Sequence, residues 1–395
     1  MQADGQPWSP PLNPVFARLP TTIFTVMSGL AVEHGAINLG QGFPDWEGPE
    51  DVRARAAEAL MTGSNQYPPM PGLPALREAV ADHYRRFQGL ELDWRTEVLV
   101  TSGATEALAA AILALVAPGD EVVLLEPAYD CYAPQVRAAG GSPRFVRLEP
   151  PAWRITAEAL DRAASERTRL LVLNNPLNPA ARVYDAEELK VLADWCVRRD
   201  VIAICDEVWE HLVYDGRSHT PLLGLPGMRE RCVKIGSAGK IFSLTGWKVG
   251  FVCAAPELQR IIAKAHQFLT FTTAPNLQSA VAFGLGKDRE HFDQMRALYG
   301  RSRDRLATGL QQEGFRVIPS EGTYFLNIDL AASGLNIDDE TFCRRAVTEA
   351  GIAAIPVSAF YEADPVRSVV RLCFAKKDET LDAGVERLAK ARRMF

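Results

Sequence analysis

Lys240 stands in a turn-rich stretch, Ser237-Ala238-Gly239-Lys240-Ile241-Phe242-Ser243-Leu244-Thr245-Gly246-Trp247-Lys248-Val249-Gly250, directly after an apolar run. Most lysines are solvated, so a loop with two surface lysines is the ordinary reading. The chemical reading is an amine that condenses with a carbonyl to a Schiff base, with phosphate-binding groups before and after it. Lysine suits that task because desolvation readily lowers its pKa and frees a nucleophilic amine. A nucleotide-binding P-loop is excluded, since that motif needs four residues between its glycines and Ser or Thr after the lysine.

Other segments carry chemistry of the same kind. Cys205-Asp206-Glu207-Val208-Trp209-Glu210-His211 follows the apolar run VIAI (201–204), and the C-terminal ends of parallel strands are where open α/β sheets bind ligands. Its acids are either solvated strand-end groups, or Asp206 pairs with a pyridinium nitrogen and keeps the ring electron-accepting. Asn174-Asn175-Pro176-Leu177-Asn178-Pro179 follows RLLVL and reads either as turns or as a proline-stiffened loop whose amide donates to a ligand oxygen. Thr101-Ser102-Gly103-Ala104-Thr105-Glu106-Ala107 joins a strand to a helix, where small residues leave backbone N–H groups open to a phosphate. Arg371, between VV and LCFA, requires an anion partner if buried.

The elements that must position these residues alternate. Helical periodicity marks 51–62, 73–88, 105–116, 156–164, 185–199, 256–271 and 289–313, and short apolar runs lie between: EVVLL (121–125), RLLVL (169–173), VIAIC (201–205), CVKIG (232–236) and GFVCA (250–254). Strands separated by helices predict a parallel or mixed sheet covered on both faces. After residue 290 the runs FRVI, TYFLNI, GIAAI and VVRLCFA and a helix at 379–393 predict a smaller α+β unit. Residues 1–20, with Trp8, Pro10, Pro11 and Pro14, read as an irregular arm. The expected division is 1–50, an arm and part of the small domain; 51–290, a large domain; and 291–395, a small C-terminal domain.

With 395 residues, 47% hydrophobic, the chain can bury a large core without disulfides. Its net charge of −6 argues against a nucleic-acid partner. Seven scattered cysteines read as reduced thiols of a cytoplasmic protein. No signal peptide or membrane span is predicted. The absence of G-x-G-x-x-G disfavours a dinucleotide-binding oxidoreductase.

Taken in order, SGATEA, NPLNP, DEVWEH, SAGK-x5-GWKVG and RLCFA resemble the pyridoxal-5′-phosphate (PLP) enzymes of fold type I, specifically class I/II aminotransferases. The similarity runs from QGFPDW (41–46) and NQYPPMPG (65–72) to RLCFAKKDETL (371–381). It points to the branch of kynurenine, glutamine, methionine and N-succinyldiaminopimelate aminotransferases. The resemblance implies an α/β fold, with a mostly parallel central sheet flanked by helices plus the smaller α+β domain. It implies ping-pong transamination between an L-amino acid (methionine, aromatic or glutamine-like) and a 2-oxo acid. Lys240 would carry PLP and shuttle the proton, Asp206 would pair with the pyridine nitrogen, and Asn178 with the phenolic oxygen. Gly103, Ala104, Thr105, Ser237 and Lys248 would hold the phosphate, with Tyr129 stacked on the ring. Arg371 would clamp the substrate carboxylate in a bidentate pair, helped by Asn178 and the backbone of Gly42. In a homodimer with shared sites, Tyr67 would reach the neighbouring cofactor phosphate and Phe271 would line the neighbouring pocket. No metal is implied.

Two departures stand out. The family usually has tyrosine where this chain has Trp209, whose indole N–H donates but neither accepts nor ionises. The usual Asn-Pro-x-Gly reads Asn178-Pro179-Ala180-Ala181. Two alternatives remain at this level: a PLP-dependent β-lyase acting on cysteine conjugates, and a non-catalytic ligand-sensing domain. The second is disfavoured because the roughly 50 residues before the first predicted helix are too few and too proline-rich for a DNA-binding domain.

Overall fold

The computed structural model describes residue 10 and residues 12–395; Trp8 and Pro11 of the expected arm lie outside them. Seven strands, β1 (Val98–Thr101), β2 (Glu121–Glu126), β3 (Ser142–Arg147), β4 (Thr168–Asn174), β5 (Ile202–Asp206), β6 (Cys232–Ser237) and β7 (Gly250–Ala254), form one sheet in the order β1-β7-β6-β5-β4-β2-β3. The run β3, β2, β4, β5, β6 is parallel throughout, and β7 is antiparallel to both neighbours. The strands are apolar on both faces because helices cover both. Leu171, Leu173, Ala203 and Cys205 pack with helices Pro74–Gln88 and Ala186–Arg199, while Leu170, Val172 and Ile204 pack with helices Gly103–Leu115 and Pro256–Leu269. This two-residue alternation divides the core into two layers.

A second sheet, β8 (Arg316–Ile318), β9 (Phe325–Asp329), β10 (Ile355–Pro356) and β11 (Val369–Cys373), is antiparallel in the order β10-β11-β9-β8. Its core also takes in Met27, Leu39, Trp209 and Tyr299. Among the described residues no helix is long and apolar enough to cross a membrane.

Several elements differ from the sequence reading. Within the expected irregular arm, Pro14–Ala17 forms one helical turn, since Asn13 Oδ1 accepts from Val15 N at 2.9 Å and proline at the first helical position loses no bond. Helices Ile23–Glu33 and Pro275–Leu285 were not predicted, because their apolar residues leave little contrast at helical period. The first therefore puts regular helix well before residue 50. β3 was also missed; its Pro143 and two arginines are tolerated because it is an edge strand. GIAAI (351–355) is not one strand. Ile352–Ala353 pairs with Ile37–Asn38, and Ile355–Pro356 joins the four-stranded sheet.

The lost glycine of the Asn-Pro segment has a structural consequence. Ala181 is buried at φ 59°, in the left-handed region, and its carbonyl accepts from both Glu321 N and Gly322 N. A Cβ is disfavoured there. Ala181→Gly should therefore raise stability by about 0.5–1 kcal/mol in denaturant unfolding. An unchanged or lower midpoint would show that the alanine methyl contributes more packing than its backbone costs.

Candidate active site

Five loops leave the C-terminal ends of β1, β2, β4, β5 and β6 and converge, with strands β9 and β11 and residues 41–42, on a cavity of about 330 Å³. Gly42, Gly103, Ala104, Thr105, Tyr129, Asn178, Asp206, Trp209, Ser237, Lys240, Lys248 and Arg371 all line it. Tyr67 and Phe271 do not. They lie on the surface, 83% and 38% exposed, with their rings 5.5 Å apart edge to face.

The amine of Lys240 is held at one end of this cavity. Its Nζ donates to Tyr324 Oη at 2.9 Å and lies 4.7 Å from the Trp209 ring centre. Burial pushes the amine down to about 8; nearby Arg371 and Lys248 act in the same sense, against the pull of Asp206. Asp206, the last residue of β5, is 5% exposed. Burial pushes its carboxyl up, against a hydrogen bond from Tyr132, one from the Val208 backbone and the charge of Lys240. Tyr132 Oη donates to Asp206 Oδ2 at 2.6 Å, but Oδ1 has no partner among the described residues. A buried carboxylate oxygen left open on a cavity wall is a position for a cationic donor.

Arg371 is 1% exposed on the middle of β11, and no carboxylate pairs with it among the described residues. Its Nη1 donates to Asn178 Oδ1 at 2.7 Å, its Nη2 to the Gly40 carbonyl at 3.0 Å, and its Nε to nothing. The guanidinium also lies 3.9 Å from the Phe325 ring centre. Burial pushes it down to about 10. Because arginine only donates, it fixes the Asn178 amide with oxygen toward Arg371 and leaves the Nδ2 side as a donor. Asn174 braces the loop, accepting from Asn178 N at 2.7 Å and donating to the Asp206 carbonyl at 2.9 Å.

The third part is an anion cradle. Helix Gly103–Leu115 has no side-chain cap, so its first N–H groups are open to the cavity. Gly103 has φ 78°, and a Cβ there would meet Lys248 Cε at 3.2 Å and Nζ at 3.3 Å. A Cβ on Gly250 would come within 2.6 Å of the Gly103 carbonyl carbon. Both glycines are needed to bring Lys248 against the helix start, with Ser237 closing the cradle from the end of β6.

Tyr132 and Tyr324 were missed by sequence reasoning. Tyr132 lies three residues beyond Tyr129 in EPAYDCY, at the start of helix Tyr132–Ala138, and only that helix aims its hydroxyl at Asp206. Tyr324 lies in the run TYFLNI, where nothing in the sequence signals its contact with Lys240.

The fold and site define an α/β enzyme whose cavity joins an open anion cradle, a lysine amine and a guanidinium with no carboxylate partner among the described residues. Residues 34–388 match the model of the family "Aminotransferase class I and II". The chain is 44% identical over 372 residues to the methionine aminotransferase of Escherichia coli, covering 94% of this chain and 96% of that one. It is 45% identical over 381 residues to a probable N-succinyldiaminopimelate aminotransferase of Mycobacterium tuberculosis, with 93% and 96% covered. A solved Escherichia coli structure described as having methionine aminotransferase function superposes with a TM-score of 0.93 at 42% identity, covering 97% of this chain and all of that one. This chain belongs to the class I and II aminotransferase family, with its fold-type I architecture, and it is an aminotransferase.

Proposed function

We propose that this aminotransferase binds PLP through Lys240 and exchanges the amino group of an apolar or aromatic L-amino acid, methionine among them, with a 2-oxo acid. One observation carries the reading: the cavity presents three cations, Lys240, Lys248 and Arg371, against one carboxylate, Asp206, whose Oδ1 is open. That set fits PLP, a ring nitrogen with a phosphate at its far end, together with a substrate carboxylate. When bound, PLP supplies an electron-accepting ring that stabilises the charge left as a substrate Cα–H bond breaks.

The residues divide the remaining work. Tyr132 holds Asp206, which would keep the proton on the ring nitrogen of bound PLP. Asn178 Nδ2 would donate to the ring oxygen, and Tyr129 would cover the ring face. The start of helix Gly103–Leu115, with Ser237 and Lys248, binds the phosphate. Arg371 binds the substrate carboxylate through the donor capacity its present partners leave open, beside Gly42, and Lys240 moves the Cα proton. Residues 51–290 make up the cofactor-binding domain in this reading, and 291–395 with part of the first 50 residues the small domain. Tyr67 and Phe271 stand together on the surface as they would to complete a neighbouring site, which supports a homodimer. Seven unpaired cysteines support a cytoplasmic location.

Substrate class follows from the walls. Near Arg371 they include Phe24, Phe325 and Tyr129, and no fourth cation lines the cavity among the described residues. An unpaired second carboxylate in such surroundings costs more than the roughly 1.4 kcal/mol that separates substrates tenfold. In a panel of amino donors, methionine and phenylalanine should therefore exceed aspartate by at least about tenfold in kcat/KM. Aspartate as the best donor would refute this assignment.

A further inference from the structure

We propose that Tyr324 is a positioning residue for Lys240: its hydroxyl is the seat that holds the ε-amine whenever that amine is not bonded to the cofactor. The inference rests on the reading of Lys240 as the cofactor-bearing lysine.

The direction of the hydrogen bonds is fixed by chemistry. Tyr324 Oη contacts two groups, the Gly42 carbonyl oxygen and Lys240 Nζ. A carbonyl only accepts, so the single phenolic proton goes to Gly42 and the Tyr324 oxygen is left as an acceptor for Lys240. The phenol is fully protonated at neutral pH, since burial pushes its ionisation well up. Lys240 therefore faces a neutral acceptor that cannot turn away without breaking its own bond to Gly42.

The ring is as constrained as the hydroxyl. Tyr324 is 1% exposed, with the Trp209 ring edge-on at 4.4 Å and the Tyr299 ring stacked at 6.0 Å. Position 209 thus contributes an aromatic face, and the hydroxyl beside the amine comes from position 324 instead. The backbone before Tyr324 is strained to place it. Thr323 is a buried, β-branched residue at φ 69°, a conformation such residues rarely adopt. It is held there by its N–H to the Leu212 carbonyl at 2.9 Å and by Tyr214 Oη on its own carbonyl at 2.7 Å.

The anchor at Gly42 links two ends of the site. Gly40 accepts from Arg371 and Gly42 from Tyr324, so one three-residue segment holds both the carboxylate-binding arginine and the seat of the lysine. A side chain at Gly42 is excluded, as its Cβ would come within 2.8 Å of Phe325 Cζ. A lysine with four rotatable bonds otherwise spreads over many positions, and small displacements of a proton-transferring group are costly in rate.

The test uses Tyr324→Phe, with Tyr299→Phe as the control that removes a hydroxyl from the same aromatic stack, one bonded to Ser243 at 2.7 Å. In PLP-free protein, acetylation of Lys240 is followed against pH by mass spectrometry. Loss of an acceptor for the ammonium lowers the amine pKa, so the Tyr324→Phe profile should move down by about one pH unit, about tenfold more labelling at a given acidic pH. The Tyr299→Phe profile should match wild type. In PLP-loaded protein, the single-turnover half-reaction of Tyr324→Phe should slow by about 10- to 100-fold, with the half-saturating amino-acid concentration changed less than about twofold. Superimposable labelling profiles for Tyr324→Phe and wild type, or a half-reaction within about twofold of wild type, would overturn the proposal. Failure of the underlying reading is separately visible. Borohydride reduction of PLP-loaded wild type would then leave no pyridoxyl mass on the Lys240 peptide, whatever Tyr324 does.

Discussion

Lys240→Ala should lose at least about 10⁴-fold in transamination rate, because one side chain is proposed both to carry the cofactor and to transfer the Cα proton, and proton transfer alone contributes about 10²–10⁴. Its suitability is physical. Burial pushes the amine down to about 8, so a useful fraction is an unprotonated nucleophile near neutrality. Lys248, the other cavity lysine, is poorly placed for the task. Its Nζ lies beside Gly103 at the start of an uncapped helix, where a positive charge is useful only against an anion. Lys240→Ala should still bind PLP through the cradle and Asp206, detectable by equilibrium dialysis. Borohydride treatment of PLP-loaded wild type should fix the cofactor on the peptide containing Lys240. A stable adduct on Lys248 would reassign both lysines.

Strand-end chemistry was the legible part of this site. Asp206, Asn178, Ser237 and Lys240 each follow an apolar run of strand length, and a parallel sheet puts all such ends on one edge, so their convergence follows from topology alone. Contacts between segments far apart in the chain were not legible. Arg371 with Gly40, and Tyr324 with Gly42, join residues 331 and 282 positions apart by bringing the segment 40–42, which lies in neither sheet, against the four-stranded sheet, which no local pattern encodes. Tyr132 was hidden differently. EPAYDCY offers two tyrosines, and only the helical phase beginning at Tyr132 decides which hydroxyl meets Asp206. The split of GIAAI between two sheets was equally invisible, since an apolar run does not say where it bends. CVKIG was rightly read as a strand, but its lysine gave no hint of being wholly buried.

That lysine, Lys234, is the basis of the largest expected stability effect. It is 0% exposed at the centre of the large sheet, beside Cys205 of β5. Its Nζ donates to Glu207 Oε2 at 2.5 Å and to Glu210 Oε2 at 2.7 Å. Glu207 also accepts from Leu222 N at 3.2 Å and meets His219 Nε2 at 3.1 Å, and Glu210 accepts from Tyr84 Oη at 3.1 Å and Gln88 Nε2 at 2.7 Å. Two buried carboxylates, one and four residues beyond Asp206 at the end of β5, thus share the one lysine that β6 supplies. Lys234→Met keeps the volume and removes the charge, leaving both carboxylates without it; breaking a buried network in this way costs about 3–5 kcal/mol. Adding Glu207→Gln and Glu210→Gln to Lys234→Met should recover part of that loss, because the unpaired charges go with it. The pH dependence has a definite sign. Burial alone would raise Glu207, but Lys234 and His219 outweigh it and hold the carboxyl at about 2, below its ordinary 4.5. Its contribution is therefore complete above about 4.5 and is lost as pH falls toward 2. In Lys234→Met the lysine's share of that depression is gone, only His219 still opposes burial, and protonation relieves the variant instead. Denaturant unfolding at a series of pH values should show the deficit largest near pH 7 and narrowing on acidification; a deficit independent of pH would mean that Lys234 acts through packing and not through its charge.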